Sequence, residues 1–430
     1  MVRFGLAGTL ILLCSACAPQ LPGAGSVISE MQAPDLQSST DATDPAALHD
    51  TLLTLDAHLD TPALFHRASY DFSARGSFAN DRTNVDLPRL QEGQLDGGFW
   101  VIYTAPGPLN EAAYIAARTS AILRQMSIRE MASKYAESVE LAFAADDAER
   151  IHADGKIVVF QSMENAYPLG EDVSLLEVFY VGGLRMLGLV HFESNQFADS
   201  STDEPLHGGL SELGKELVRE ANRMGLIVDA SHASDDALRD MMDVSSTPVI
   251  LSHSGPDGVF EHARNVPDDL LIQLAESGGV VHVNAFGGYL EALEVSPERQ
   301  AALDALNADF GMSIAEMNDE QLQAYRMARM ALDGEFPPPR SSFEKYLEHL
   351  FYTIDLVGID HVGIGADWDG GGGVDGMAEV SDVPKITAAL VEAGYSAEDI
   401  EKIWSGNVLR LLREVEAAKT GELTSPDILK

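Results

Sequence analysis

Histidine and acidic residues follow a series of short apolar runs along the sequence, and their types suit metal chemistry. They are His58, Asp60, Glu164, His191, His232, His253 and Asp367. Imidazole and carboxylate groups together suit a borderline divalent cation such as zinc. His58 and Asp60 stand two positions apart, so on a strand both side chains point to one face. The alternatives are a turn at this segment and ordinary loop histidines after the other runs. The repetition of the pattern favours a site.

Five of these residues are candidate metal ligands: His58, Asp60, Glu164, His232 and His253. A single catalytic zinc needs only three protein ligands and a water. Five candidates therefore predict two divalent ions, with zinc the first choice and cobalt or manganese also compatible. Glu164 lies between the two groups along the chain and is the natural bridging ligand. Two ions about 3.5–4 Å apart would lower the pKa of a shared water until it is hydroxide at neutral pH.

Eight short apolar runs precede helix-like segments and must position these residues. The runs are Leu52–Leu59, Gly98–Tyr103, Lys156–Ser162, Leu184–Val190, Leu226–Ala230, Pro248–Ser252, Gly279–Val283 and His361–Gly365. Apolar runs that alternate with helices indicate parallel strands with crossover helices. Eight of them predict an α/β fold, a (β/α)8 TIM-like barrel, in which the carboxyl ends of the strands meet at one mouth. We expect His282, within the seventh run, to pack inside the barrel.

A long segment, about 287–342, separates the seventh run from the eighth. Its middle, Ser296–Leu332, is rich in helix-forming residues, and Pro337-Pro338-Pro339 ends the helical sequence. The sequence thus predicts a helical insertion between strands 7 and 8. An insertion in a βα loop lies on the catalytic face of a barrel, where it could act as a lid over the site or be a structural addition.

The N-terminus has the features of an export signal over residues 1–17. Arg3 precedes the apolar stretch Phe4–Leu13, which is too short to span a membrane as a mature helix. Cys17 then stands as in a bacterial lipoprotein cleavage site, although Cys14 occupies a position where Leu or Val is usual. An ordinary secretory signal is the alternative. We expect an exported protein of the bacterial periplasm or cell envelope, lipid-anchored at Cys17 if that site is used.

Composition narrows the function classes. The chain carries 28 Lys+Arg against 68 Asp+Glu, a formal net charge of -40. This balance argues against nucleic acid as a partner and against charge-driven docking on anionic lipid, so membrane contact is expected only through the N-terminal lipid. Residues 18–46 are predicted to be a flexible tether, 47–418 the barrel domain with its dinuclear metal site, and 419–430 a polar tail.

Several motifs resemble the membrane (renal) dipeptidase family, from about residue 50 to 415. They are His58-Leu59-Asp60, Asp86-Leu87-Pro88-Arg89-Leu90, Gly97-Gly98-Phe99-Trp100, Asp229-Ala230-Ser231-His232, Leu251-Ser252-His253-Ser254, Arg264-Asn265-Val266-Pro267-Asp268, Gly363 to Gly370 and Ile403 to Arg410. Each motif alone is weak, but the set is specific. The resemblance implies a zinc-dependent barrel hydrolase that acts on dipeptides, and the family often forms homodimers.

The resemblance also implies a role for each site residue. His58, Asp60 and Glu164 would bind one zinc, and Glu164, His232 and His253 the second. His191 would face the substrate carbonyl oxygen and stabilise the oxyanion, and Arg264, with Asn265 beside it, would bind the terminal carboxylate of the substrate. Asp367 would take a proton from the bridging water and pass it to the leaving amine.

The predicted function is an exported metallodipeptidase that hydrolyses dipeptides with a free C-terminal carboxylate, of L- or D-configuration, by a hydroxide that bridges two zinc ions. A related amide hydrolase on the same centre, an N-acyl-amino-acid deacylase or a lactonase, is the first alternative. A non-catalytic lipoprotein that binds peptide or metal is the second. The segment Glu164-Asn165-Ala166-Tyr167-Pro168 differs from the animal members and resembles bacterial ones. The insertion has no counterpart in the shorter members of the family. Both departures leave the substrate preference open.

Overall fold

The computed structural model describes residues 44–67, 70–311 and 319–420. The predicted export signal, Cys17, most of the tether and most of the polar tail lie outside these residues and stay predictions. Ten strands are present in the described part. They are β1 Asp56–Leu59, β2 Gly97–Tyr103, β3 Val139–Leu141, β4 Ile157–Glu164, β5 Leu184–Gly188, β6 Ile227–Asp229, β7 Ile250–Pro256, β8 Asn265–Val266, β9 Val280–Val283 and β10 Val362–Ile364.

Eight of these strands form a nearly closed parallel barrel in the order β1-β2-β4-β5-β6-β7-β9-β10. All eight predicted runs are confirmed as strands; β3, beside β4, and β8, beside β7, were not predicted. The first and last strands meet where the Asp60 amide donates to the Trp368 carbonyl at 2.9 Å. The Asp56 carboxylate accepts from the amides of His58 at 2.8 Å and Ala366 at 3.0 Å, and so fastens β1 to β10.

Helices follow most strands and cover the barrel. The described α-helices are Pro45–His49, Phe78–Asp81, Leu87–Gly93, Glu111–Lys134, Ala145–Ala153, Leu176–Gly182, Glu212–Met224, Asp235–Val244, Asp268–Glu276, Gly287–Leu290, Pro297–Phe310, Asp319–Glu335, Phe343–Val357, Pro384–Glu392, Ala397–Glu401 and Asn407–Ala418. Several begin at side-chain caps, as Glu212–Met224 does at Ser211, whose hydroxyl accepts from the Gly214 amide. Within the described ranges, we find no helix with the length and apolar character needed to cross a bilayer.

The barrel interior changes from apolar to polar along each strand. On β4 the side chains of Val158, Phe160, Ser162 and Glu164 share one face because successive side chains alternate. The first two belong to a buried apolar cluster, which we call the basal cluster. Its members include Leu55, Phe99, Val158, Phe160, Met186, Ile227, Ile250 and Val280 from the barrel and Val408, Leu409, Leu411, Leu412 and Val415 from the last helix. Glu164 lies at the other end, at the carboxyl end of the strand.

The C-terminal segment closes the base of the barrel. The Asn407 side-chain amide donates to the carbonyls of Ile359 and Val362, both at 2.8 Å. The Leu55 amide, just before β1, donates to the Trp404 carbonyl at 3.1 Å. These bonds seat the helix Asn407–Ala418 against the basal cluster, which explains the sequence motif at 403–410 as a structural element.

The predicted insertion is helical, and two long helices make up most of its described part. Pro297–Phe310 and Asp319–Glu335 pack against each other, with the rings of Phe310 and Tyr325 at 5.2 Å. Arg299 and Asp333 form an ion pair at 2.6 Å that also joins them. Gly311 ends the first helix in the left-handed conformation that glycine tolerates best.

Candidate metal centre

A cavity of about 230 Å³ opens at the carboxyl ends of the barrel strands. The residues that line it are Asp60, Ala63, Tyr103, Glu164, His191, Phe192, His232, His253, Arg264, Phe286, Tyr289, Asp367, Asp369 and Gly370. His58 is buried against this wall and contacts Glu164. Seven of the nine site residues predicted within the barrel therefore line one cavity, and an eighth adjoins it. The exception is Asn265.

One carboxylate oxygen, Glu164 Oε1, lies among four imidazole rings. It is 3.0 Å from His232 Nε2, 3.5 Å from His253 Nε2 and 3.7 Å from the Nε2 atoms of both His58 and His191. Glu164 is only 6% exposed. A single oxygen that four nitrogen ligands surround is well placed to be shared between two cations.

The candidate ligand atoms fall into three overlapping groups. They are His58–Glu164–His253, Glu164–His191–His232 and His58–Asp60–Asp367, and within each group the ligand atoms lie within 4.8 Å of one another. The five predicted ligands are all present in these groups. These groups differ from the two ligand sets that the resemblance implies. His191 is grouped with Glu164 and His232, and Asp367 is grouped with His58 and Asp60.

The geometry of these atoms fits bound divalent cations. His58 Nε2 and Asp60 Oδ1 are buried and have no hydrogen-bond partner among the described residues, which is costly unless another ligand satisfies them. The Nε2 atoms of His232 and His253 approach to 2.9 Å. Two nitrogen ligands of one tetrahedral zinc lie about 3.3 Å apart, so this pair is close to a shared coordination geometry.

Burial sets the protonation of the two histidines of β6 and β7. Desolvation lowers the pKa of His232 and of His253 well below the ordinary value, so both rings are neutral, the form that binds a cation. For Glu164, burial raises the pKa, but its interactions with the surrounding imidazoles, those of His191 and His58 foremost, outweigh burial and hold the pKa well below its usual range. Glu164 is therefore an anion, as a bridging ligand must be.

Asp367 has the opposite electrostatics. Burial raises the pKa of this carboxyl well above its ordinary value, and the nearby carboxylates of Asp60 and Glu164 raise it further. A raised pKa favours the protonated form of a carboxyl, which can donate its proton. Glu164 and Asp367 line one cavity and have pKa values shifted in opposite directions, an arrangement that acid–base catalysis uses.

Several site residues have strained backbone conformations. His232 (φ 68°), Asp367 (φ 64°) and Asp369 (φ 64°) lie in the left-handed region that non-glycine residues rarely adopt. Such strain is often found at functional sites, where the surrounding structure enforces it. Gly370 is required here for a different reason, because a Cβ at this position would overlap the carboxylates of Asp60 and Asp367.

Asp369 holds the loop after β10 against two other loops. Its carboxylate accepts from the Thr61 hydroxyl at 2.7 Å and from the Asn84 amide at 2.6 Å. Asn84 Oδ1 in turn accepts from the Asp369 amide at 2.9 Å. Burial raises the pKa of Asp369 to about 6. These bonds anchor the loop that carries Asp367, two residues before Asp369.

Arg264 and Asn265 are adjacent in sequence, but their side chains lie in different surroundings. Arg264 is 2% exposed and lies in the cavity wall, where its Nη2 donates to the His253 carbonyl at 3.0 Å and its Nε has no described partner. The Asn265 side-chain amide instead donates to the carbonyls of Phe260 at 2.7 Å and Tyr289 at 2.8 Å. Asn265 thus holds the loop together and is not brought to the cavity with the other predicted residues.

Aromatic side chains complete the cavity wall and were not predicted from the sequence. Tyr103 lies edge-on to His191 with ring centroids at 4.9 Å, and Phe192 packs on the same histidine at 4.0 Å. Phe286 and Tyr289 stack at 4.3 Å on the opposite side, and Tyr289 also lies 5.4 Å from the Arg264 guanidinium. Their position after strand ends was the available signal, but aromatic residues in such loops are common.

The two long helices of the insertion do not line the cavity. Phe286, just before the segment, and Tyr289, near its start, line it, but none of the described residues of Pro297–Phe310 and Asp319–Glu335 does so. A lid, one of the two roles considered for the insertion, therefore has no support from these two helices.

A family model for the membrane dipeptidases (peptidase family M19) matches residues 43–425, which is nearly the whole described chain. The chain belongs to the membrane dipeptidase family. The resemblance seen in the sequence motifs is thereby confirmed, and so is the activity class: the protein is a dipeptidase, a hydrolase of the metallopeptidase type on a TIM-like barrel.

Relatives and solved structures agree with this assignment. Dipeptidase tcpJ of Claviceps purpurea is 31% identical over 415 residues, which cover 94% of this chain and 87% of the relative. The structure of the probable dipeptidase PvdM from Pseudomonas aeruginosa superposes with a TM-score of 0.74 at 32% identity, over 87% of this chain and 98% of that one. A metallo peptidase from Rhodobacter sphaeroides, liganded with a phosphinate mimic of the dipeptide L-Ala-D-Ala, gives 0.67 at 26% identity, covering 85% and 100%.

Proposed function

We propose that this family member is an exported dipeptidase that holds two zinc ions, with Glu164 as the shared ligand. The observation that carries the proposal is the position of Glu164 Oε1, within 3.7 Å of four histidine nitrogens. His58 and Asp60 would complete one side of the centre and His232 and His253 the other. His191 and Asp367 also lie within ligand distance of these groups. We assign His191 to the substrate carbonyl and Asp367 to proton transfer, and neither to the metals.

Two divalent ions in this site would polarise the peptide carbonyl and lower the pKa of a water molecule for attack. The protein itself supplies three further functions. Arg264 binds the C-terminal carboxylate of the substrate, since a guanidinium fork suits a carboxylate and the Arg264 Nε is otherwise unpaired. This contact selects substrates that end one residue after the scissile bond.

His191 and Asp367 act on the reacting atoms. Burial lowers the pKa of His191, so the ring is neutral and donates one hydrogen bond to the carbonyl oxygen as negative charge develops there. Asp367 gives a proton to the leaving nitrogen, a role that the raised pKa of its buried carboxyl favours, and it recovers a proton from the attacking water. Tyr103 and Phe192 hold His191 from two sides and thereby fix the direction of its donated bond.

The substrate range that we propose is dipeptides with an L- or D-residue at the C-terminus. The Rhodobacter sphaeroides relative was captured with a mimic of L-Ala-D-Ala, which supports tolerance of the D-form. A cavity of about 230 Å³ suits a small ligand. The N-terminal sequence supports export to the periplasm or cell envelope, with a lipid anchor if Cys17 is the cleavage site, and the family resemblance supports a homodimer.

The test is hydrolysis by a protein that lacks residues 1–17, offered L-L dipeptides, L-D dipeptides and N-acetyl amino acids. Metal content is measured first, and each assay is repeated after chelation and after zinc is restored. We expect two ions per chain and turnover of both dipeptide classes, lost on chelation and regained with zinc. Turnover of N-acetyl amino acids alone would reassign the enzyme as a deacylase. A protein with two ions and no turnover would overturn the dipeptidase proposal.

A further inference from the structure

A hydrogen-bonded pair, Asp229 and Ser252, lies beneath the metal centre on the inner face of the barrel. Asp229 ends β6 and is 5% exposed, and Ser252 lies on β7 and is fully buried. We propose that this pair is a positioning device that fixes the tautomer of His253, and more weakly of His58, so that their Nε2 atoms bind metal. The proposal rests on the two-metal centre proposed above.

The aspartate is held rigidly by three donors. Its Oδ1 accepts from the backbone amides of Ser231 and Ser252, both at 3.0 Å. Its Oδ2 accepts the hydroxyl hydrogen of Ser252 at 2.6 Å, which is the length of a charge-assisted bond. Neither Asp229 nor the Ser252 hydroxyl can turn without breaking these bonds.

The direction of the remaining bonds follows from counting hydrogens. A serine hydroxyl has one hydrogen and two lone pairs, and here the hydrogen is directed to Asp229. Ser252 Oγ lies 2.9 Å from His253 Nδ1 and 3.5 Å from His58 Nδ1, so toward both rings it can only accept. A ring whose Nδ1 carries the hydrogen has its lone pair on Nε2.

The lone pairs that result face the proposed metals. His253 Nε2 is 3.5 Å and His58 Nε2 3.7 Å from the shared oxygen of Glu164. The proposed centre assigns His58 to one ion and His253 to the other, so one hydroxyl assists both ions. The shorter distance to His253 predicts the greater effect at the ion bound by His232 and His253.

An irregular strand brings the serine and the histidine together. Ser252 and His253 are consecutive, and on a regular strand their side chains would point to opposite faces. The register between β7 and β9 shifts between Leu251 and Ser254, a local irregularity of the kind that redirects a side chain. Both residues therefore face the barrel interior.

The decisive variant is Ser252→Ala, which removes the acceptor and keeps the small volume. Because second-shell partners of metal ligands typically contribute 10–100-fold to metal affinity, we expect one of the two dissociation constants to rise by about that factor. The constants are measured by competition with a chromophoric chelator on the full holoenzyme, and the visible spectrum of the cobalt-substituted protein reports the ligand geometry. Ser252→Thr, which keeps the hydroxyl, should restore both readouts.

Asp229→Asn tests the direction of the hydrogen bond. An amide can donate to Ser252 Oγ, which would turn the hydroxyl hydrogen toward His253 Nδ1 and favour the wrong tautomer. We therefore expect at least as large a loss of affinity as in Ser252→Ala. Ser162→Ala is the matched control, since Ser162 is a buried serine on the inner face of β4 whose hydroxyl has no partner among the described residues. Its metal affinity should equal that of the unmodified protein.

Two outcomes separate the two proposals. If the unmodified protein binds fewer than two ions, the two-metal centre is wrong, and the role given to Asp229 and Ser252 falls with it. If the unmodified protein binds two ions and Ser252→Ala binds both with unchanged affinity and an unchanged cobalt spectrum, the positioning role is overturned while the metal centre stands. Ser252→Ala creates little strain, so the result does not depend on Asp229→Asn folding.

Discussion

The two ends of the barrel interior differ in the polarity of their side chains. At the base, the basal cluster is apolar and is covered by the helix Asn407–Ala418. At the mouth, four histidines and four acidic residues line or adjoin the cavity, and several of their polar atoms are buried without a described partner. Residues at both ends are buried, so burial does not distinguish the two ends. They differ in whether buried polar atoms have hydrogen-bond partners.

This difference separates the residues that stabilise the fold from those that serve its function. The base obeys the rules for a stable core, with packed side chains and paired backbone groups. The mouth departs from them through His232 and Asp367 in left-handed conformations and through like charges placed together. Residues at the base should therefore control stability with little effect on chemistry, and residues at the mouth the reverse.

Asp367→Asn should give the largest effect and test the mouth. A general acid contributes about 10²–10⁴-fold to rate, so we expect kcat to fall by that amount. The melting temperature should not fall, because a neutral amide replaces a carboxyl whose pKa burial already raises. Metal content is measured in parallel, since Asp367 lies beside His58 and Asp60. A variant that keeps its metal and most of its kcat would contradict the role of Asp367.

Leu412→Ala tests the base. This side chain is fully buried in the basal cluster, and truncation of such a leucine costs about 2–5 kcal/mol of unfolding free energy. We expect kcat per folded molecule to be unchanged. Leu123→Ala, on an exposed face of Glu111–Lys134, is the control and should change stability by no more than about 0.5 kcal/mol. Loss of kcat in Leu412→Ala would break the separation between the two ends.

Arg264→Gln should raise KM for dipeptides about 10–100-fold, since a hydrogen bond to a charged group contributes about 1.5–3 kcal/mol. Dipeptide amides, which lack the carboxylate, should be affected much less. Arg264→Lys retains the charge, so its KM for dipeptides should lie between that of the unmodified protein and that of Arg264→Gln. Equal losses for both substrate classes would indicate that Arg264 acts only by supporting the His253 carbonyl, to which it donates.

His282 lies on β9 in the interior between the two ends, and a pH series tests this intermediate layer. Burial lowers its pKa to about 3, against 6.5 for the ordinary group. The unfolded chain therefore binds the proton first as pH falls, and stability is lost from about pH 6.5 downward, by up to about 1.4 kcal/mol per pH unit. In the metal-free protein, His282→Gln should reduce the loss of unfolding free energy between pH 6.5 and 5 by about 2 kcal/mol. The unfolding free energy is measured by denaturant unfolding at each pH. If it falls as much with pH in His282→Gln as in the unmodified protein, the prediction is wrong.

Much of the barrel could be predicted from the sequence because its signals are local. Each of the eight strands has its own apolar run, and parallel strands buried on both faces are strongly apolar. The position of the His and acidic residues after these runs then placed Glu164, His191 and Asp367 at one mouth. His282 was also correctly expected inside the barrel, where it is 2% exposed.

The rest depended on contacts between distant segments. The short strands β3 and β8 form only because longer strands offer them an edge. Asn265 was predicted to bind substrate from its place next to Arg264, but two carbonyls hold its amide away from the cavity. The roles of Ser252 and Asp229 arise from a register shift and a cross-strand bond, neither of which has a local sequence signature.

The bond between Asp56 and Ala366 has a consequence for the order of events in synthesis. It joins the first barrel strand to the last, across most of the chain, and the candidate site uses residues from both of these strands. A nascent chain that has not yet produced β10 lacks Asp367 and the partner of β1, so it cannot assemble the complete centre. Full metal uptake would then report that the whole barrel has closed, and a chain that stalls before that point would be inert toward peptides.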